Sequence, residues 1–152
     1  MIDTSRRHFL AAAAAGVLMT QVRVVSALPT IEVLQPLVDK ITGGAQLREG
    51  RITLDIPRLS DNGHSVPLKI TVDSAMTEQD YVKTLHVLSE RNPRPIIGTF
   101  HLHAESGRAE ISTRVRLNGE QRLLVIAAMS DGSFWGASAA VIVTETACLD
   151  AT

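Results

Sequence analysis

Hydrophobic positions recur at two different spacings along this chain. Early in the main body, Leu34, Leu37, Val38 and Ile41 repeat at the spacing of one helix face, and the pair Gly43–Gly44 follows them. Two glycines shortly after the last apolar position are a typical helix stop. The pattern therefore predicts a short N-terminal helix whose apolar face packs on the rest of the protein.

From residue 51 onward the helical spacing gives way to an alternation of period two. Seven segments show it, and each is short and rich in β-branched residues, as strands are. The segments are RITLDI, SVPLKITV, YVKTLHVL, PIIGTFHLH, AEISTRVRL, QRLLVIAAM and WGASAAVIVT. Strands spaced about ten residues apart predict an all-β fold, an immunoglobulin-like β-sandwich of about seven strands with the short helix at its N-terminal end.

Turn-forming residues separate the predicted strands. The separating stretches are SDNGH, ERNPRP, ESGR, LNGE and SDGS, which combine Gly, Pro, Asn and Asp as tight turns do. Asn118–Gly119 in LNGE is the strongest hairpin signal, because an Asn-Gly pair favours a type I′ turn. The strand before it has an apolar face and a polar face, which are Ile111, Thr113, Val115 and Leu117 against Ser112, Arg114 and Arg116.

The N-terminal residues have the pattern of an export signal. Arg6 and Arg7 precede an apolar run, Phe9 to Met19, and Val25 to Ala27 offers small residues for cleavage. A run this short falls below the ~20 residues of a membrane span, which argues against the alternative of a membrane anchor. Paired arginines indicate a twin-arginine signal peptide over residues 1–27 and a periplasmic protein. The sandwich domain is then expected at 28–144 and a flexible C-terminal arm at 145–152.

Composition excludes several kinds of partner. The formal net charge is -1, no block of like charges occurs, and aromatic residues make up 3% of the chain. Nucleic-acid and membrane-surface binding both need a concentrated basic face, and base stacking needs aromatic side chains. We therefore expect neither a nucleic-acid partner nor a membrane partner.

Motifs for independent catalysis are scarce. His101 and His103 in HLH lie at strand spacing and could share a metal ion, but a surface pair without a ligand fits the alternation equally well. A copper site of the blue-copper type needs ligands just after its cysteine, and only four residues follow Cys148. No nucleophile elbow or phosphate-binding loop occurs, and in SDGSFW the Asp131–Gly132 pair is a turn before a strand that begins at Phe134 and Trp135. We expect no enzyme activity, no metal site and no cofactor.

Cys148 is the single cysteine of the chain. In an oxidising compartment, an unpaired cysteine implies either an intermolecular disulfide or a reactive thiol. The residues after Thr144 lose the alternation, which favours a tail that exposes the thiol. A free cysteine is also among the most buried residue types, so a thiol packed against the sandwich stays open at this point.

Four stretches carry a resemblance to a known family. They are NPRP at Asn92–Pro95, SGRAEISTRVRL at Ser106–Leu117, SDGSFW at Ser130–Trp135 and VIVTETAC at Val141–Cys148. In this order they resemble SoxY, the sulfur-carrying subunit of the periplasmic thiosulfate-oxidising Sox system. The resemblance covers essentially the whole chain after the leader and is strongest from residue 92 onward.

The resemblance implies a function and a set of partners. SoxY proteins are immunoglobulin-type sandwiches that pair with a second small sandwich subunit, SoxZ, as a heterodimer. Their C-terminal cysteine, whose position Cys148 matches, sits on a swinging arm and is the attachment point for sulfur intermediates. A heme enzyme couples thiosulfate to the thiol, a hydrolase releases sulfate and a sulfane dehydrogenase oxidises the remaining sulfur, while the carrier itself holds no cofactor. The alternative function is an exported immunoglobulin-like binding module whose thiol forms an intermolecular disulfide.

The arm departs from the family pattern. The family's cysteine is flanked on each side by two glycines, whereas this chain has Thr146, Ala147, Cys148, Leu149 and Asp150. Glycine gives a backbone the widest choice of conformations, so these residues restrict the arm and add bulk beside the thiol. The change implies either partner enzymes with wider channels or a different client.

Overall fold

Two β-sheets and one short α-helix make up the structure, a computed structural model that describes residues 31–145. A single turn of 3-10 helix, Glu32–Leu34, leads into the helix α1, Gln35–Thr42. The strands are β1 Leu47–Arg48, β2 Ile52–Asp55, β3 Leu59–Asn62, β4 Val66–Val72, β5 Val82–Ser89, β6 Ile96–His101, β7 Glu110–Val115, β8 Gln121–Met129 and β9 Phe134–Glu145. A second 3-10 turn, Ala104–Ser106, connects β6 to β7.

The strands form a six-stranded sheet and a three-stranded sheet. The large sheet has the order β1-β9-β8-β5-β6, with β3 paired to β9, and the small sheet has the order β2-β4-β7. Alternate residues of both sheets point into one shared core, which includes Ile70 of β4, Leu85 of β5 and Val125 of β8, all fully buried. The predicted all-β, immunoglobulin-like sandwich is confirmed.

The helix covers part of the outer face of the large sheet. Leu34 and Val38 pack there against Leu88, Leu124 and Ile126, which form a second apolar cluster. This second contact explains why β5 and β8 contain runs of consecutive buried residues, because each of these strands is covered on both faces. The helix ends at Gly43, whose φ of 64° is the left-handed conformation that favours glycine. The helix and its stop were predicted correctly.

All seven predicted strands are present, and the structure adds two more. The additional strands, β1 and β3, each lie parallel to β9, at its beginning and at its end. The last three residues of β3, Ser60 to Asn62, were predicted as part of the turn SDNGH, because Asp and Asn rarely occupy strands. Here they extend the sheet at its edge, where polar side chains remain exposed.

The two strongest turn signals have different outcomes. The LNGE stretch joins β7 of the small sheet to β8 of the large sheet, so the predicted hairpin there is wrong. A type I′ turn needs a positive φ at both central residues, and Asn118 lacks it although Gly119 has a φ of 70°. In contrast, SDGS joins the antiparallel strands β8 and β9 in a tight turn with Gly132 at φ 81°.

Residues 31–145 contain no helix that is long and apolar enough to cross a membrane. The predicted leader, residues 1–27, lies outside this described part of the chain and stays a prediction.

Candidate functional site

The predicted attachment residue, Cys148, lies outside the described residues, but the strand that precedes it is well defined. The strand β9 ends at Glu145, three residues before the cysteine, close to the predicted end at Thr144. Its last residues pair with β3, with Asn62 opposite Glu145. The Thr144 hydroxyl also donates a hydrogen bond to the Asp61 carbonyl oxygen at 3.2 Å. The root of the C-terminal segment is therefore fixed to the large sheet.

Two large apolar side chains are exposed beside this root. Leu59 of β3 and Ile142 of β9 are direct cross-strand partners, with exposed fractions of 59% and 46%. Single exposed apolar residues are common on protein surfaces, but an adjacent pair offers a contact point for another molecule.

The structure does not unite His101 and His103 into a metal site. The strand β6 ends at His101, so the prediction that both histidines lie on one strand face is wrong for His103, which instead precedes and caps the 3-10 turn after β6. The His101 ring nitrogen Nδ1 lies 3.3 Å from the Thr84 hydroxyl. Among the side chains of residues 31–144, no three from His, Cys, Asp or Glu lie close enough together to hold a metal ion.

The histidine that shares a surface with His101 is His86, which the sequence alone did not single out. Its ring nitrogen Nδ1 lies 3.3 Å from the Thr99 hydroxyl on the neighbouring strand. Burial lowers the pKa of His86 below its ordinary value, and the nearby His101 lowers it further. Because strand alternation places His86 and Leu88 on the outer face, the period-two pattern is the signal that could have located it.

A groove runs along one side of the sandwich, between the free edge of the large sheet at β6 and the free edge of the small sheet at β7. It has a volume of about 810 Å³. We call it the basic groove, because four exposed basic side chains line it. They are His64, Arg94, Arg114 and Arg116. Its apolar lining includes Val87, Ile97 and Phe100.

One side of the basic groove is held by a hydrogen-bond network around Asn92. The Asn92 amide nitrogen donates to the Arg116 carbonyl oxygen at 2.7 Å, and its amide oxygen accepts from the Asn118 backbone N–H at 3.0 Å and from Gln121 at 3.2 Å. Gln121 is itself buried and bonded to the buried Ser89 hydroxyl. The loop that carries Arg94 is thereby fixed relative to the end of β7. Sequence reasoning identified NPRP as a motif but gave no reason for Asn92.

A second group of charged residues surrounds Trp135, and we call it the Trp135 cluster: Arg48, Arg51, Asp80, Asp131 and Trp135. Arg48 and Arg51 lie over the indole ring, at 6.0 and 5.1 Å from its centroid. Arg51 also forms an ion pair with Asp80 at 2.9 Å. The hydrogen bond from Arg51 lowers the pKa of Asp80 below its ordinary value, and hydrogen bonds from Ser133 lower the pKa of Asp131. Phe134 and Trp135 begin β9, as predicted, and they pack on its two sides.

Comparison with known proteins assigns the chain to a family. The sequence profile of the family described as "sulfur oxidation protein SoxY" matches residues 38–148. The chain belongs to the SoxY family. The resemblance noted from four short motifs is thus confirmed, and the match covers the whole sandwich and ends at Cys148.

Solved structures agree on the fold. The chain is similar to the sulfur carrier protein SoxY from Chlorobium limicola f thiosulfatophilum, with a TM-score of 0.63, 20% sequence identity, and coverage of 76% of this chain and 100% of that chain. It is also similar to superoxide reductase (neelaredoxin) from Ignicoccus hospitalis, with a TM-score of 0.54, 12% identity, and coverage of 62% and 80%. Identities this low show a shared fold only. No curated protein sequence matches the chain.

Proposed function

We propose that this SoxY-family protein is a periplasmic sulfur carrier that holds thiosulfate-derived sulfur intermediates on Cys148 and presents them to separate enzymes. It works as a heterodimer with a SoxZ-like subunit and is not itself an enzyme. The observation that carries the proposal is the extent of the family match, which runs from residue 38 to residue 148 and so ends at the only cysteine of the chain.

The position of β9 supports this role. Its last residue, Glu145, is held in the sheet by β3, and Cys148 follows three residues later. Three extended residues span about 10 Å, so the thiol stays near the end of the sandwich from which β9 emerges. An enzyme that takes up the thiol would therefore contact the sandwich beside β3, where Leu59 and Ile142 are exposed.

The proposed loading reaction is a two-electron oxidation. The Cys148 thiol and thiosulfate combine to form a sulfur–sulfur bond, Cys–S–S–SO₃⁻, and release one proton and two electrons, which a separate heme enzyme accepts. Water then attacks the terminal sulfonate on a hydrolase, which gives sulfate, two protons and a persulfide, Cys–S–S⁻. A sulfane dehydrogenase oxidises the remaining outer sulfur.

The residues beside Cys148 adapt this chemistry to particular partners. Ala147 and Leu149 occupy positions where the family has glycine, so the segment is bulkier and its backbone has fewer accessible conformations. We propose that the enzymes that act on this chain have channels wide enough for Leu149.

Intact-mass spectrometry of the protein from its native host tests the proposal. Under growth on thiosulfate, we expect a fraction of the chain to carry thiosulfonate or extra sulfane sulfur, and the Cys148→Ser variant to carry none. The same samples report whether the mature chain begins after residue 27, and cell fractionation of an Arg6→Lys, Arg7→Lys variant tests export by the twin-arginine signal.

An unmodified Cys148 thiol during thiosulfate oxidation contradicts the carrier proposal. The alternative function, a binding module with an intermolecular disulfide, predicts a covalent dimer on non-reducing gels that Cys148→Ser abolishes, with sulfur oxidation unchanged. Co-purification of a SoxZ-like subunit with both the wild type and Cys148→Ser would show that the heterodimer forms without the thiol.

A further inference from the structure

The basic groove carries positive charge that the described residues do not neutralise. Ion pairs among the described side chains, those of residues 31–144, are Arg51–Asp80, Lys69–Glu110 and Arg122–Glu90, and none of them involves a groove arginine. No Asp or Glu lines the groove either. Like charges held close together repel one another, so three arginines gathered without a carboxylate are typical of a site that receives an anion.

The groove arginines have free donors for such an anion. Arg114 uses one guanidinium nitrogen, Nη1, for the Ser65 carbonyl oxygen at 3.3 Å and the Ser65 hydroxyl at 3.2 Å. A guanidinium has five N–H donors, so most of its fork remains available. The side chains of Arg94 and Arg116 make no hydrogen bond to other described side chains or backbone groups, since Arg116 takes part only through its carbonyl oxygen, and both are exposed. Arginine forks match the oxygen spacing of tetrahedral oxyanions.

The apolar lining of the groove strengthens the attraction between its arginines and an anion. Val87 is fully buried, and Ile97 and Phe100 are half-buried beside it, so one side of the groove excludes water. Coulombic attraction increases next to such a low-dielectric wall. A volume of about 810 Å³ lies within the range of small-molecule clefts, so the groove has room for a tetrahedral oxyanion.

The groove also lies within reach of Cys148. Asn62 pairs with Glu145, and His64, only two residues after Asn62, lines the groove. The His64 backbone N–H donates to the Asn62 side chain at 2.8 Å, which fixes this turn. Paired strands lie about 5 Å apart, and the three residues from Glu145 to Cys148 span about 10 Å when extended. A group carried on Cys148 can therefore enter the groove from its His64 end.

We propose that the basic groove is a binding site for sulfur oxyanions, either free thiosulfate or the thiosulfonate carried on Cys148. The sulfonate oxygens bind the guanidinium groups of Arg94, Arg114 and Arg116, and the sulfane sulfur lies toward the apolar lining. This inference rests on the proposed function. It adds that the sandwich itself recognises the anionic cargo.

Two samples distinguish the sources of the anion. The first is the Cys148→Ser variant titrated with thiosulfate, and the second is the full chain loaded by tetrathionate. In the loading reaction the Cys148 thiolate attacks an inner sulfur of tetrathionate, forms Cys–S–S–SO₃⁻ and releases thiosulfate. Amide ¹H–¹⁵N spectra then report on Asn92, Arg94, residues 96–98 and residues 114–116, with sodium chloride of equal ionic strength as the reference.

We expect groove amides to shift in at least one sample. Shifts in the first sample identify a site for free thiosulfate, and shifts only in the second identify a site for the carried group. Arg116→Gln and Arg94→Gln should each weaken thiosulfate binding about fivefold, which corresponds to about 1 kcal/mol, or reduce the shifts of the loaded chain. Arg108→Gln, an exposed arginine outside the groove, is the matched control and should have no effect.

Three outcomes would overturn the inference. They are unshifted groove amides in both samples, equal shifts with sodium chloride, and shifts that appear only when a partner subunit is added, which would make the groove a protein interface. None of these outcomes affects the proposed function, which fails only if Cys148 of the native protein carries no sulfur adduct.

Discussion

The Trp135 cluster and the basic groove both contain arginines, but among the described side chains only the cluster supplies a carboxylate partner. In the Trp135 cluster, Arg51 lies over the indole ring and pairs with Asp80 at 2.9 Å, so its charge is used within the fold. In the basic groove, Arg94 and Arg116 have no carboxylate partner among the side chains of residues 31–144. The first arrangement stabilises the sandwich, whereas the second leaves binding capacity for a molecule outside it.

The difference gives a way to separate arginines that stabilise the fold from arginines that are available to bind another molecule. A guanidinium that already has an aromatic face and a carboxylate has little left to offer a ligand. A guanidinium held at a groove without a counter-charge adds little to stability, because it forms no ion pair within the folded chain. Substitutions in the two regions should therefore separate stability from binding.

The largest effect is expected for Trp135→Ala. The half-buried indole packs on the main core and lies beneath two guanidinium groups, so its loss should lower the free energy of unfolding by about 2–3 kcal/mol. Urea unfolding followed by circular dichroism measures this. Ile96→Ala at the groove, where the side chain is 45% exposed, is the control and should cost under about 1 kcal/mol. Equal costs would contradict the structural role of the cluster.

Asn92→Ala should have the next largest effect, because part of the groove is itself structural. Its side chain makes three hydrogen bonds, to Arg116, Asn118 and Gln121, and we expect a loss of about 2 kcal/mol. Thermal unfolding measures this loss. Asn118→Ala removes a side chain that has no hydrogen bond to the described residues and should change stability by less than about 0.5 kcal/mol. If both variants unfold alike, the network does not hold the groove.

Arg51→Gln and Arg116→Gln compare the two regions directly. Arg51 loses a partly exposed ion pair and a contact with the indole ring, and should cost about 1 kcal/mol. Arg116→Gln should change the free energy of unfolding by less than about 0.5 kcal/mol in either direction. Urea titrations of the two variants in the same buffer test this, and a larger cost for Arg116→Gln would mean that the groove arginines stabilise the fold.

The smallest effect concerns acid stability. The lowered pKa of Asp80 means that folding favours its charged form. The carboxylate therefore contributes to the stability of the folded state above its ordinary pKa of 3.8, and this contribution is lost as pH falls through the lower folded-state pKa. The difference in Tm between the wild type and Asp80→Asn should therefore be constant near neutral pH and shrink toward zero in acid. The difference between the wild type and Arg116→Gln should stay constant over the same range, and a parallel loss there would contradict the comparison.

Local patterns predicted the elements of this fold better than their connections. The alternation in AEISTRVRL placed Val115 and Leu117 in the core and Arg114 and Arg116 outside, as found. The Asn118–Gly119 signal failed because turn propensity acts over a few residues, whereas the choice between pairing with β7 and crossing to β5 depends on core packing across the whole sandwich. The strand β3 was missed for the same reason, since its polar residues pair only because β9 lies beside them.

The sequence by itself determined the alternating strands, the helix with its Gly43 stop, the family motifs and the position of the lone Cys148, because each depends on residues close together in the chain. Only the tertiary structure decided which arginines lie in the same groove and which lie beside an aromatic ring and a carboxylate. Arg94 and Arg116 are far apart in sequence and share a groove because β6 and β7 are the free edges of two sheets that pack together, while Arg51 reaches Trp135 and Asp80 across the same sandwich. Whether an arginine stabilises the fold or can bind another molecule depends on the side chains that folding brings next to it. Those side chains come from distant parts of the chain.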